Sequence, residues 1–597
     1  MDPTDPMDPP RVHFGGPGVE HPGVSLSEFT LQHLRHFAAQ GERAPPAQVD
    51  AVTGQAMSYG ELLERSVRAA QGWSALGLRV GDTVAVCSNN LHALFPTVLG
   101  AMFNGCTVAG IVPSSNTAEL LDSLLLVSPR AVISDELTAP RMAAASGALA
   151  EALGAGPVKH VVAVAEGRGA RLAEVVPGGV MSSEDLFAAG VRHGVAIETY
   201  APAAVADAKQ HVAYILFSSG TTGKPKAVMT SDHSMLIHTL NPGSWAVLEG
   251  ERFLVSSPLS WISGALMMFH CAFVGATRVF LNGCADEHTW LGTVHKYKIN
   301  LTFAPPWLLS LVPSALSATV GPRAPYDVSS LRAVTTGGAA LGADMHALLQ
   351  AALGCPVAQG YGCTEAGVAF SDSAGLPGQP PPRPGSLGRL QPWVHLRLVD
   401  PVSGRDVSGE EGEGELRYKT PYLMLGYVGD PKASAQGFDE HGFYCTGDLV
   451  RRDSDGYFYF VDRIKELMKY NSWPIAASEL EEVLLFHSLV REVCVLGRPH
   501  PIHGDLPTAF VVRSGGAEGD AHLDEQQLRQ DINQLVRARL SDHKLLRGGI
   551  YFVDEIPKTT SGKKDRNRLR ERLVSAEEFA KLDTSVLDQC VYLENIH

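Results

Sequence analysis

Three short runs constrain this chain more than any other feature: Thr83–Cys87 (TVAVC), Ala131–Ser134 (AVIS) and Val158–Ala165 (VKHVVAVA). Each is apolar and β-branched enough to read as a buried strand, and helix-like segments lie between them. Tyr59–Leu78, for example, has helical spacing with Ala, Leu and Trp side chains on one face. From about residue 25 to 140 the two patterns alternate, which indicates βαβ units and a largely parallel sheet. The Ala- and Gly-rich stretch from about 140 to 205, carrying the third run, reads as one more βα unit. With 597 residues, of which 45% are hydrophobic and 19% charged, the chain is too long for one core. Two or more domains are expected.

Later boundaries are marked by composition. Residues 376–388 (LPGQPPPRPGSLG) form a Pro/Gly loop that separates one subdomain from the next. Val394–Val399 and Gly414–Tyr418 then look like strands of a smaller barrel-like region. After Asp462 the pattern turns to a mixed α+β piece of roughly a hundred residues that ends in a basic helix near Arg566–Arg572. No internal repeats are visible.

Charge and cysteine usage exclude several classes. The net charge of -15 argues against a general nucleic-acid binder. Nine cysteines are scattered singly without a CxxC pair, which suits a reducing compartment and neither a disulfide framework nor a zinc site. The N-terminal MDPTDPMDPPRVHFGG is Pro/Asp-rich with no apolar core, so a disordered tail is expected there, not a secretory signal. The most membrane-like window, Ile262–Leu281, contains His270 and Arg278 together with Gly264 and Gly275. It reads as a buried helix and strand, and no integral membrane segment is expected. Asn595-Ile596-His597 is not a Ser-Lys-Leu type address, so the cytosol is the default and a peroxisome the lesser option.

Residues 218–227 (SSGTTGKPKA) look at first like a Walker loop. That motif needs a glycine where Ser218 stands and a hydroxyl residue where Pro225 stands, so the match fails. A phosphate-binding role still makes chemical sense. Gly220 and Gly223 free the backbone to bend around an anion, Ser218, Ser219, Thr221 and Thr222 supply hydroxyls, and Lys224 and Lys226 supply positive charge. His211–Phe217 upstream reads as the strand that feeds the loop. Taken alone, the stretch reads equally well as a polar surface turn.

Three further stretches share this chemistry: Gln359–Glu365 (QGYGCTE), Tyr444–Asp448 (YCTGD) and Pro557–Lys563 (PKTTSGK). In this order and spacing, the four motifs resemble the adenylate-forming superfamily of acyl-CoA synthetases, 4-coumarate–CoA ligases and beetle luciferases. The resemblance runs from about residue 30 to residue 575. It implies an α/β fold: a large adenylation domain over 26–462, with two βαβ-type sheets and a small β-barrel, and a small mobile α+β domain over 463–575. A tail over 1–25 and an extension over 576–597 flank them.

The resemblance also implies roles. Ser218 to Lys224 and Lys226 would close over the β- and γ-phosphates of ATP. Tyr361, freed by Gly360 and Gly362, would lie flat against adenine, with Gln359 beside it and Gly337, Gly338 and Ala339 as the other wall. Thr364 offers a hydroxyl to phosphate and Glu365 a carboxylate to Mg²⁺. Asp448 matches the family's ribose aspartate and Arg463 its neighbouring arginine. Asp462 and Lys465 fall on the family hinge. Lys563 matches the lysine of adenylation, whose ammonium screens negative charge during attack. Trp261, Ser263 and Leu341 fall on the acyl pocket, and Lys469 and Ser472 on the CoA side.

The activity implied is an ATP- and Mg²⁺-dependent ligation of a carboxylic acid to CoA or a carrier-protein thiol, as in fatty-acid or phenylpropanoid metabolism. A luciferase-like oxygenase and a non-catalytic adenylate-binding protein are the alternatives. Four departures bear on this. Ala227 stands where glycine is usual, which would cost positive-φ freedom, and Ser231-Asp232 stands where Thr-His is common. Trp261 replaces a histidine, so no base is available there; its indole either packs in the core or faces the acyl chain. Ser472 replaces a glycine near the thiol path and Pro474 removes a backbone donor, which puts thiol transfer in question.

Overall fold

The computed structural model describes residues 13–14, 18–153, 158, 160–164, 180–218, 226–241, 247–283, 286–317, 326–372, 380–409, 411–471, 473–500, 502–514, 525–559 and 563–574. The chain divides into two compact units. The first comprises residues 1–397, 417–446 and 453–458, and the second 398–416, 447–452 and 459–597.

The first unit carries two large mixed sheets, as the alternating pattern requires. In one, β1 (Thr83–Cys87), β2 (Thr107–Gly110), β3 (Ala131–Asp135), β4 (His160–Val164), β5 (Val212–Ser218) and β6 (Lys226–Ser231) take the order β6-β5-β2-β1-β3-β4. Gly426–Tyr427 extends it beyond β6 and Val180–Ser182 beyond β4. The pairings from β5 to β4 are parallel; β6 alone of the labelled strands runs antiparallel, forming a hairpin with β5. The second sheet is built on β7 (Arg252–Val255), β8 (Thr277–Phe280), β9 (Leu301–Phe303), β10 (Ala333–Gly337), β11 (Val357–Cys363) and β12 (Gly367–Ser371), in the order β12-β11-β10-β9-β7-β8. Arg389–Leu390 completes it at the β12 edge, and Gln48–Asp50 and Ala56–Met57 beyond β8.

Helices α1 (Leu26–Ala38), α2 (Tyr59–Ala75) and α3 (Leu94–Phe103) pack in one large core cluster. Ser25 and Ser58 start the first two with reciprocal capping boxes to Glu28 and Glu61. The apolar face of α2 buries Leu62, Val67 and Trp73, aliphatic burial of this kind giving about 1.5–3 kcal/mol per side chain. Trp73 keeps its indole N–H satisfied by donating to Thr97 O at 3.1 Å.

Ser231 caps α4 (Asp232–Leu240) by accepting from the Ser234 N–H. The membrane-like window resolves as expected into α5 (Ile262–Val274), a left-handed turn at Gly275, and β8. Arg278 in β8 is fully buried, with Nη2 donating to Asn90 Oδ1 at 2.9 Å and Nη1 to Gln48 Oε1 at 3.3 Å. Among the described residues no helix is long and apolar enough to cross a membrane.

The barrel-like region is a five-stranded sheet. His13–Phe14 is followed in order by β13 (His395–Val399), β14 (Gly412–Lys419), β15 (Tyr444–Arg452) and β16 (Phe458–Arg463). The second unit holds an α+β body. Its sheet contains β17 (Met468–Tyr470), β18 (Trp473–Ile475), β19 (Val490–His500), β20 (Gly504–Arg513) and β21 (Gly549–Phe552). Helix α6 (Ala477–Leu485) packs on β19, as does α7 (Arg566–Val574), the basic helix expected from sequence.

Candidate functional site

In the first unit the candidate residues gather at the carboxyl ends of β10 and β11, where α/β sheets ordinarily bind ligands. The two strands are parallel and in register, with Gly337 opposite Gly360. Beyond β10, Gly338 turns the chain at φ 82° and leaves Ala339 exposed. The buried Gln359 ties this turn down: its Oε1 accepts from the Leu341 N–H at 2.6 Å. Leu341 is buried beneath the turn.

Tyr361 follows on β11, half-buried, its ring 5.8 Å from Phe370, which in turn stacks on Phe458. Gly362 must be glycine because β12 passes close by. A Cβ there would stand 2.6 Å from Gly367 O and 2.8 Å from Val368 Cα, both backbone atoms. Thr364 and Glu365 come next, the first half-buried and the second buried.

The SSGTTGKPKA stretch starts and ends on two paired strands. Ser218 and Lys226 are paired across β5 and β6. Ser219, Gly220, Thr221, Thr222, Gly223 and Lys224 lie outside the described residues. Ala227 sits inside β6, opposite Phe217 and buried, without positive φ. The methyl group therefore costs no conformational freedom at that position, contrary to the expectation from sequence, because a pleated strand accepts any L residue.

One residue that sequence reasoning missed brings the loop and the QGYGCTE motif together. Tyr427 donates its hydroxyl to Glu365 Oε1 at 3.2 Å, and Lys226 Nζ stands 4.7 Å over the same ring. Tyr444 hydrogen-bonds to Tyr427 in turn. Burial, and next the Glu365 carboxylate, push the Tyr427 phenol far above its ordinary range, so it stays a protonated donor. Only the separation of 62 residues hid this contact; no local pattern announces which tyrosine meets a distant carboxylate.

Trp261 is the N-cap residue of α5 and half-buried. Ser263 is buried in the first turn, and its Oγ lies 3.1 Å from Ser257 Oγ. Asp232 is buried at the start of α4, accepting from the Leu26 N–H at 2.8 Å. Burial raises its carboxyl to about 6.

The remaining candidates lie in the second unit. Gly447, at φ 69°, precedes Asp448, whose Oδ1 is 3.4 Å from Arg463 Nε. Asp462 is buried, accepts from the Arg463 and Ser478 N–H groups, and burial raises its carboxyl. Lys465 is exposed on the short 3-10 turn that follows. Lys469 is exposed on β17, opposite Pro474. Pro474 lies in β18, the edge strand of its sheet, where a residue without an N–H is tolerated. Ser472 lies outside the described residues. Lys563 is exposed, in a turn closed by Thr559 N–H to Lys563 O at 2.8 Å and Lys563 N–H to Thr559 Oγ1 at 3.2 Å.

Among the described residues no group of three metal-ligating side chains exists. A lone buried carboxylate such as Glu365 nevertheless fits Mg²⁺, which takes one or two carboxylates and draws its other ligands from water and substrate phosphates.

The family model described as AMP-binding enzyme matches residues 35–428. The chain belongs to that family. The AMP-binding enzyme C-terminal domain matches in addition over residues 479–563. Among curated relatives, the luciferin 4-monooxygenase of Luciola mingrelica is 30% identical over 560 residues, covering 92% of this chain and 94% of its own. The 4-coumarate–CoA ligase of Pinus taeda is 28% identical over 580 residues, covering 93% and 98%. The fold is that of a crystal structure of the anthranilate CoA ligase AuaEII in complex with anthranoyl-AMP. The TM-score is 0.77 at 23% identity, covering 93% of this chain and 99% of that one.

Proposed function

We propose that this AMP-binding enzyme is an AMP-forming acid–thiol ligase. A carboxylate oxygen of the acid attacks the α-phosphorus of ATP, the bond to the β-phosphate breaks, and pyrophosphate leaves behind an acyl-AMP. A thiol, that of CoA in the first instance, then attacks the acyl carbonyl and AMP departs. The observation that carries this reading is the meeting of Lys226 and Glu365 on Tyr427. A cation from a phosphate-type loop and a carboxylate suited to a hard metal thus share one buried phenol. Mg²⁺, when bound by Glu365 and the phosphates, would neutralise charge on the leaving pyrophosphate.

In this proposal Ser218 to Lys224 and Lys226 hold the β- and γ-phosphates, and Thr364 offers its hydroxyl to phosphate. Gln359, Gly360, Tyr361 and Gly362 take one face of adenine, and Gly337, Gly338 and Ala339 the other. Asp448 accepts from the ribose hydroxyls beside Arg463, and Lys563 supplies its ammonium to the developing charge. Trp261, Ser263 and Leu341 shape the acyl pocket, Asp462 and Lys465 the hinge, and Lys469 and Ser472 the thiol side. The unpaired pattern of cysteines in the sequence supports a cytosolic setting.

Lys563→Ala tests the assignment. ATP–pyrophosphate exchange should fall by about 10²- to 10³-fold, the effect of losing one donor aimed at developing charge. Unchanged exchange would defeat the mechanism. The luciferin monooxygenase relatives support a second reading, in which the acyl-adenylate meets O₂ instead of a thiol. Light emission on addition of a luciferin and ATP would favour it over the ligase.

A further inference from the structure

Lys563 faces solvent, but the residue after it turns inward. Lys558 and Lys564 form a backbone bridge at the foot of the turn that the Thr559 and Lys563 bonds close. The seat of Lys564, the next residue along the chain, therefore anchors the turn that carries Lys563.

That seat is Glu481 of α6. Its Oε2 accepts from Lys564 Nζ at 2.6 Å, and its Oε1 accepts from Arg566 Nη2 at 2.7 Å and from the Val495 N–H at 2.9 Å. The Glu481 side chain is only 10% exposed. A buried carboxylate with three donors, two of them cationic, is a fixed point. Lys564 and Arg566, close in coulombic reach, hold it below the usual carboxylate range in spite of burial.

The ion pairs continue from there within the same unit. Arg566 Nη1 donates to Glu466 Oε2 at 2.9 Å. Glu466 Oε1 lies 3.7 Å from Arg463 Nη1, and Arg463 Nε lies 3.4 Å from Asp448 Oδ1. Contacts are short at the Lys564 end and long at the Arg463 end, where the side chain is 39% exposed. The grip on the lysine turn is the firm part of this chain.

We propose that Glu481 is a positioning residue: by gripping Lys564 and Arg566 on either side of Asp565, it sets where Lys563 is presented. This rests on the reading of Lys563 as the adenylation lysine. A purely structural role would affect folding and substrate affinity together; a positioning role affects turnover and spares ATP affinity.

The experiment is ATP–pyrophosphate exchange by the full-length wild type, Lys563→Ala, Lys564→Met and Lys564→Arg, with the acid that gives the wild type its fastest exchange. Lys564→Met leaves Glu481 paired with Arg566, so the fold should survive. Its kcat should fall about 10- to 100-fold, as for a misplacement near 1 Å, with the KM for ATP within about twofold. Lys564→Arg, which can still reach the carboxylate, should recover most of the loss. Amide exchange at Lys563 should quicken in Lys564→Met while the α6 amides keep their protection. If α6 loses protection too, Glu481→Asp, which keeps the charge but shortens its reach, should show the same kcat loss. Wild-type kcat in Lys564→Met or Glu481→Asp, with Lys563→Ala inactive, would overturn this inference alone. No exchange by the wild type, or full exchange by Lys563→Ala, would overturn the functional reading and this inference with it.

Discussion

The two units hold their candidate residues by different means. In the first, register and close backbone approach do it: Gly337 opposite Gly360, Gly362 against β12, and a neutral amide, Gln359, bonded to the Leu341 N–H. In the second, charge does it, through Asp448, Arg463, Glu466, Arg566, Glu481 and Lys564 in alternation. Sheet geometry of the first kind is indifferent to pH. Ion pairs of the second kind depend on every partner staying charged, and a buried one is costly to break from one side. Charge enters the first unit too, at Glu365 beneath the Tyr427 hydroxyl and at Asp232, a buried carboxyl that accepts from the Leu26 N–H group.

The largest effect is expected where charge is buried and paired. Glu481→Gln leaves Lys564 without its counter-ion and Arg566 with Glu466 alone, and should cost the second unit about 3–5 kcal/mol at pH 7. Because the folded pKa of Glu481 is lowered, its contribution is present above the ordinary 4.5 and is lost as pH falls through the folded value. The gap between variant and wild type should therefore close in acid, as followed by chemical denaturation across pH. A constant gap would show that the carboxylate's charge is immaterial.

Asp232→Asn should act in the opposite sense. Its folded pKa of about 6 lies above the ordinary 3.8, so protonation favours the folded state, and stability drops as pH rises through about 6. The asparagine variant should be more stable than wild type at pH 7 by up to about 3 kcal/mol, and equal to it near pH 4. Denaturation of the first unit, read by amide exchange, measures this.

Gly362→Ala tests the backbone side of the comparison. The added methyl meets backbone on β12 and should cost about 1–3 kcal/mol at every pH, since no titratable group is involved. A pH-dependent loss would break the distinction between the units. Tyr427→Phe is the mildest change. Loss of one hydrogen bond to a charged group, about 1.5 kcal/mol, should raise the Mg²⁺ concentration for half-maximal exchange about tenfold.

The same division governs what was legible in the sequence. Strands such as Thr83–Cys87 and helices such as α2 follow from local period and composition, and the window over Ile262–Leu281 parts at Gly275 as its polar residues require. The sheet-end motif around Tyr361 is readable because its chemistry is contiguous. Glu481 and Tyr427 are not, since their partners lie 83 and 62 residues away and only the fold brings them together. Ala227 misled because a glycine motif read in isolation suggests a turn, whereas pairing with β5 makes the position a strand.

The most direct test of the central claim is pyrophosphate release from ATP and Mg²⁺ over a panel of carboxylic acids, each with and without CoA. Release should become multiple-turnover only when CoA is present, with AMP as co-product, for at least one acid. Release limited to one equivalent whether or not CoA is added would contradict the ligase and leave an adenylating enzyme with another acceptor.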